Sequence, residues 1–499
     1  MTFAVINSRA SFGIEAPPVT IEVHISCGLP KLLMVGLPEV AIKESKDRVR
    51  SAIMNSGFDF PSRRITINLA PADLPKKDGG RFDLAIALGI LIATKQIVVS
   101  DISQYEFAGE LALDGKLRPF RGALPFALAT KKAQRALVLP VEDATDAALV
   151  TEVKILSAHH LLDVCAHLTG TKIIAPYSMI ARTTEPKFEF DLADICGQEH
   201  AKRALEIAAA GGHALLMNGP PGVGKTMLAH RLNTILPEMT DGEALETAAI
   251  YSICGKKNNL DLWRQRPFRA PHHTASSVAL VGGSSPPHPG EISLAHNGVL
   301  FLDELLEFNR NALEALREPL ESKYITISRA AHQAIFPANF QLVVAMNPCP
   351  CGYWGDNRAN CNCTADQVRR YQNRISGPFL DRIDLWVPVY SLSKNILLQF
   401  ANKNVTSKEV RARVVKARQI ALARAGKINA AFTNKEIEAF CFISAVDVAF
   451  LEDVVEKLKL SARSYHRIIK IARTIADLAG DETIQNQHLK EAIGFRRTI

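Results

Sequence analysis

No apolar stretch in this 499-residue chain is long enough to cross a bilayer. The longest, Leu84–Thr94, falls short of the about 20 residues that a spanning helix needs. The first residues, Met1–Arg9, show no basic region followed by an apolar core, so no signal peptide is expected. Internal repeats and low-complexity tracts are missing too, which excludes fibrous and repeat architectures. Aromatics are sparse at 7%, and net charge is small: 59 basic against 51 acidic side chains leave +8. That balance permits nucleic-acid binding without establishing it. What is present is ordinary globular chemistry, with 47% hydrophobic and 22% charged residues, and it excludes disorder. The length suggests about three domains. The chain reads as cytoplasmic, with no membrane partner. Its nine cysteines then point to thiols or metal ligands rather than disulfides.

Patterning divides the chain. Residues 1–178 carry period-two runs, Val19–Ile25 and Arg64–Leu69, that read as strands, with turns at Gly36-Leu37-Pro38 and Asp78-Gly79-Gly80. A polar stretch over 179–192 reads as a linker. Residues 193–395 alternate strand and helix. The runs Ala214–Met217, Val299–Leu302 and Phe340–Met346 are continuously apolar, as in a parallel sheet buried on both faces. Residues 396–499 read as all-helical, starting near Val405–Arg411 with Ser or Thr caps.

The chemistry sits in the middle segment. Gly219-Pro220-Pro221-Gly222-Val223-Gly224-Lys225-Thr226 matches G-x-x-x-x-G-K-[ST] between a strand and a helix. Glycines let backbone N–H groups wrap phosphates, and the helix N-terminus adds its positive end. Lys225 is placed to reach the β/γ-phosphates of ATP and Thr226 to hold Mg2+. Asp303 and Glu304 end a buried strand, where acids face the ligand crevice. Asp303 suits the metal, and Glu304 suits the general base that activates water. Asn347 ends a third strand and suits orientation of that water; a turn-forming Asn before Pro348 is the plain alternative. Arg382, between two acids, reads either as a surface ion pair or as an arginine finger for a neighbouring subunit, with Arg374 as rival.

These elements, in this order and with a helical tail, resemble an AAA+ ATPase. The strings Phe268–Ser276, Pro289–Glu304, Asn347–Gly352 and Leu460–Ile468 resemble the magnesium-chelatase-like ATPases of the ComM (YifB) family across nearly the whole chain. The resemblance implies an α/β AAA+ P-loop core with a helical lid, of the helix-2-insert type. It also implies an N-terminal α+β Lon-protease-like domain (ribosomal S5 domain 2-like). It implies a homohexameric ring, single-stranded or branched DNA as partner, and a helicase that migrates branches in natural transformation, with a recombinase or loading factor. By motif, Arg382 becomes the finger and Arg463 the sensor-2 arginine. Ala270–Glu291 corresponds to the helix-2 insert, within which His272 and His273 read as structural. Tyr324–Phe336 corresponds to the pre-sensor-1 hairpin, and Arg329 and His332 at its tip are the candidate DNA contacts.

In the N-terminal domain, the place of a Lon serine looks like Asp78–Asp83, with Arg81 at the serine position. No serine lies between Ser62 and Ser100, and the matching segment Arg118–Phe126 has no lysine, so the domain is expected to be non-catalytic. Lys46, Arg48, Arg50, Arg63 and Arg64 form either a basic face or a merely solvated one. Cys349, Cys351, Cys361 and Cys363 suit Zn2+, with reduced thiols as the alternative. Residues 400–499 hold 18 Lys/Arg against 11 Asp/Glu, a basic lid that suits phosphate contact. A chelatase-type motor, an ATP-dependent protease and a regulatory scaffold ATPase are the competing readings.

Overall fold

Alternation of apolar and polar side chains builds the first sheet. Strands β1 (Phe3–Arg9), β2 (Pro18–Ser26), β3 (Lys31–Val35) and β4 (Arg64–Ala70) lie in the order β1-β2-β4-β3. The pairing is antiparallel except between β3 and β4. Ile6, Ile21, Val23, Ile65 and Ile67 all face the core. Helix α2 (Asp83–Ala93) packs on that face, and α1 (Glu39–Asn55) packs beside α2. Every residue of α2 but Ile92 is buried, which explains why the longest apolar run of the chain has no polar stripe. A second, parallel sheet follows: β5 (Tyr105–Phe107), β6 (Ala136–Pro140) and β7 (Ile155–Ala158), in that order. Helix α3 (Ala123–Lys132) lies between β5 and β6 in sequence.

The computed structural model describes residues 2–36, 39–72, 74, 76, 79–178, 188–257, 259, 262–283, 287–329, 332–356, 360–391, 405–458 and 460–496, without the side chains of 39–43, 329 and 332. The sequence-predicted turn residues Leu37, Pro38 and Asp78, and most of the predicted linker, lie outside these residues. So does the 395/396 boundary.

The central segment forms a five-stranded parallel sheet. Its strands are β8 (Leu215–Asn218), β9 (Phe268–Arg269), β10 (Val299–Leu302), β13 (Gln341–Met346) and β14 (Leu385–Pro388). A separate hairpin, β11 (Tyr324–Arg329) and β12 (His332–Pro337), precedes β13. The sheet order is β9-β10-β13-β8-β14, so the winding direction reverses beside β8. Such a switch point opens a crevice at the carboxyl ends of the strands. Helices α4 (Glu199–Gly211) and α5 (Lys225–Ile235) join α7 (Ser407–Ala425) and α8 (Ala462–Ala479) of the C-terminal helices in one hydrophobic core. Helix α6 (Asp241–Ile253) reaches the N-terminal domain. Its Ala248 and Ala249 pack with Leu124 and Phe126 of α3, and the Gly122 N–H donates to Ser252 O at 3.1 Å.

Two expectations change here. Residues 188–191, read as part of a linker, are bound: Phe188 lies under the Arg411 guanidinium at 4.7 Å, and Asp191 accepts the Ser407 N–H at 2.9 Å. Five of the arginines in the C-terminal helices are spent on packing them. Arg411 and Arg418 donate to the carbonyls of Thr234 and Ala209, Arg413 pairs with Glu206, and Arg424 and Arg473 converge on buried Asp477. These arginines staple the C-terminal helices to the core or to one another and are not offered to phosphates.

One clamp fixes the start of β14. Asp384 accepts from Arg467 of α8 at 2.9 Å and from the Ala214 N–H at 3.1 Å, beside His213. Desolvation opposes its charge, but Arg467 and His213 win and hold the carboxyl far below the usual range. Removing one partner of such a pair strands the other. Asp384→Ala is expected to cost about 2–4 kcal/mol, read as a lowered thermal midpoint, while Asp381→Ala on the exposed side leaves it unchanged.

Candidate functional site

Strand β8 ends at Asn218, and the chain turns through Gly219–Gly224 into α5. The turn is tight: the Gly219 N–H donates to Met346 O at 3.2 Å, and a Cβ on Gly219 would stand 2.2 Å from Val389 O. Only glycine fits there. Lys225 opens α5 and is 8% exposed. Its Nζ donates to Gly219 O at 2.6 Å, Pro220 O at 2.8 Å and Asn347 Oδ1 at 3.0 Å. Burial pushes the ammonium's pKa down, and Asp303 and Glu304 pull it back up. The neighbouring Thr226 hydroxyl donates to Asp303 Oδ2 at 2.6 Å.

Five of the sequence-predicted residues thus come together: Lys225, Thr226, Asp303, Glu304 and Asn347 stand at the ends of β8, β10 and β13. Asp303 Oδ1 accepts the Glu304 N–H at 2.9 Å, and Glu304 adopts φ +52°, an uncommon backbone that swings it out of line with β10. Thr226 and Asp303 supply hard oxygen donors side by side, the set that Mg2+ takes.

His273, read as structural, lies beside this cluster. Its Nδ1 lies 3.0 Å from Glu304 Oε2. The available signal was its place after β9, whose carboxyl end opens on the same crevice. His272 packs on His273 at 4.1 Å between ring centroids and bonds to Thr274.

Other candidates lie apart from this cluster. Arg382 donates to Pro378 O at 2.6 Å and sits 2.7 Å from Glu321 Oε1; Arg463 lies 3.5 Å from that same oxygen. Burial lowers the pKa of Arg382, as do Arg317, Arg463 and Arg467 nearby, while Glu321 opposes them. The rival Arg374 packs over Tyr371 and bonds to Leu306 O. Arg329 and His332 pair in backbone register at the end of the hairpin, with their side chains outside the described residues. Cys349, Cys351, Cys361 and Cys363 place their four sulfurs within 4.8 Å of one another.

In the N-terminal domain Arg81 is buried. It donates to Arg121 O at 2.7 Å and stacks on Phe120 at 5.4 Å. A guanidinium against a carbonyl and a phenyl ring therefore spans the two segments where a serine and lysine were sought. The basic face is thinner than the sequence suggests, because Arg48 turns in to Asp83 at 2.7 Å and Arg50 packs over Phe60.

An imidazole 3.0 Å from a carboxylate competes with water for that carboxylate. His273→Ala is therefore expected to raise ATP hydrolysis measured without DNA by about two- to tenfold. Glu304→Gln should lower turnover by about 10²–10⁴-fold with ATP affinity retained. An unchanged rate in His273→Ala, checked by a coupled ATPase assay, contradicts that competition.

Residues 191–397 match the family model "Magnesium chelatase, subunit ChlI", 21–143 match "Subunit ChlI of Mg-chelatase", and 404–496 match "Magnesium chelatase, subunit ChlI C-terminal". The chain is 52% identical to "Competence protein ComM" of Haemophilus influenzae, over 100% of this chain and 98% of that one. It is 49% identical to "Uncharacterized protein YifB" of Salmonella typhimurium, over 99% of this chain and 97% of the other. A weaker likeness, 26% identity over 32% of each chain, links it to "Lon protease 2" of Bacillus subtilis. Full-length identity at this level, together with the P-loop on a parallel α/β sheet, places the chain in the ComM/YifB family of magnesium-chelatase-like AAA+ ATPases.

Proposed function

We propose that the protein is a ring-forming, ATP-hydrolysing DNA motor that migrates branched recombination intermediates. The observation that carries the ATPase half is the convergence of Lys225, Thr226, Asp303, Glu304 and Asn347 on one crevice. Lys225 exchanges its carbonyl partners for the β- and γ-phosphate oxygens. Glu304 takes a proton from the water that attacks the γ-phosphorus, and Asn347 orients that water. ADP leaves as the γ-phosphoryl group is transferred. Thr226 and Asp303 would hold Mg2+, which neutralises charge on the phosphates.

The ring half is supported by Glu321. Two guanidiniums on one carboxylate leave net positive charge at a patch away from the chain's own P-loop cluster. Arg382 and Arg463 are suited there to the γ-phosphate held by a neighbouring subunit, Arg382 as the finger. A finger in trans requires a closed assembly, and the family resemblance makes it a homohexamer.

DNA as the substrate rests on the family resemblance, on the name of the competence relative and on the hairpin. The N-terminal domain is assigned a non-catalytic part in assembly or DNA handling, in keeping with Arg81 spanning the expected dyad. The chelatase descriptions of the family models favour, as second reading, a motor that does not act on DNA.

ATP turnover with and without single-stranded DNA separates the two. The expected outcome is stimulation by DNA that is reduced in Arg329→Ala. Arg382→Ala should lose about 10³-fold in turnover while still assembling. Turnover indifferent to every DNA form, in a confirmed ring, overturns the DNA motor and leaves the second reading.

A further inference from the structure

Between β13 and the helix Ala365–Gln372 runs a stretch, 347–364, without regular secondary structure among its described residues. Apolar packing explains little of its course. Within it, Cys349 Sγ lies 3.3 Å from Cys351 Sγ and 3.7 Å from Cys361 Sγ, and the last two are 3.5 Å apart. Cys363 completes the set within 4.8 Å. Four sulfurs around zinc, at bonds of about 2.3 Å in a tetrahedron, stand about 3.8 Å from each other. The thiols thus already have nearly the spacing of a ligand shell, closer than uncoordinated sulfurs need to be. Backbone N–H groups of Trp354 and Cys363 point at Cys349 Sγ and Cys361 Sγ, at 3.3 and 3.4 Å. Such donors steady the negative charge of bound thiolates.

The same loop touches the nucleotide site at two places and the segment after β14 at a third. It begins at Asn347, which accepts from Lys225. Gly352 lies so close to the P-loop that a Cβ there would stand 2.6 Å from Pro221 Cδ. Asp356 accepts the Ser391 hydroxyl at 3.2 Å, two residues beyond the Val389 carbonyl that abuts Gly219. Two of the ligands, Cys349 and Cys351, flank these contacts directly.

We propose that Cys349, Cys351, Cys361 and Cys363 bind one zinc ion as four thiolates, and that this centre buttresses the P-loop so that nucleotide affinity depends on the metal. Coordination releases the thiol protons to solvent and changes no oxidation state. The coupling rests on the nucleotide site proposed above; the zinc site does not.

The test uses the full chain purified without a metal-binding tag. Mass spectrometry of the metal should find about one zinc per chain. Stripping with a mercurial reagent, then removing the reagent with thiol, should weaken binding of a fluorescent ADP by on the order of tenfold with Mg2+ present throughout. Zinc added back should restore it. The Cys361→Ser, Cys363→Ser double variant should show the same loss without stripping. Less than about 0.2 zinc per chain with the four loop thiols reactive, or iron in place of zinc, overturns the zinc site. Equal ADP affinity, within about twofold, in loaded and stripped chains overturns the buttress. A zinc-loaded wild type that binds no ADP overturns the buttress and the nucleotide reading together, and leaves the zinc site standing.

Discussion

A lysine ammonium kept out of water must be given lone pairs or anions, and the central sheet is arranged around that requirement. Lys225 is nearly buried, and the fold supplies two P-loop carbonyls and the Asn347 side chain. Three lone pairs at hydrogen-bond distance hold the charge without neutralising it. Phosphate oxygens neutralise it. The order reversal beside β8 brings the strand carrying Asn347 next to the strand feeding the P-loop, and β10 delivers Asp303 and Glu304 one place further on. Moving any of these strands would leave the cation stranded or the acids out of reach.

Several ion pairs around the site involve residues that do not touch Lys225. His273 lies against Glu304, so the segment after β9 has a direct hold on that carboxylate. Glu321 gathers Arg382 and Arg463 from two different parts of the chain, β14's approach and the start of α8. Asp384 ties the same two parts together through Arg467. The segment before β14 and the start of α8 are therefore mechanically coupled, because the Asp384 carboxylate joins them.

Patterns with short range were readable from the sequence. The P-loop, the acids after an apolar run and the strand before Asn347 each carry their signal within a few residues, and the sheet places them as expected. The hairpin of β11 and β12 was equally local. What the sequence hid are meetings between distant segments. His273 and Glu304, or Arg382 and Arg463 with Glu321, meet only because the sheet and lid bring them together. Charge counting failed for the lid for the same reason. An arginine that donates to a helix carbonyl, as Arg418 does to Ala209, counts in the sequence like one that faces solvent. Arg48 was lost from the supposed basic face in the same way, to Asp83.

The most direct test of a DNA motor is movement. A labelled four-way or three-strand junction, ATP and the full chain at a concentration where it forms rings are sufficient, with Lys225→Ala as control. ATP-dependent migration by the wild type and none by the variant is the predicted result. No migration by the wild type, in a ring that hydrolyses ATP in response to the same junction, would contradict the assignment of branch migration.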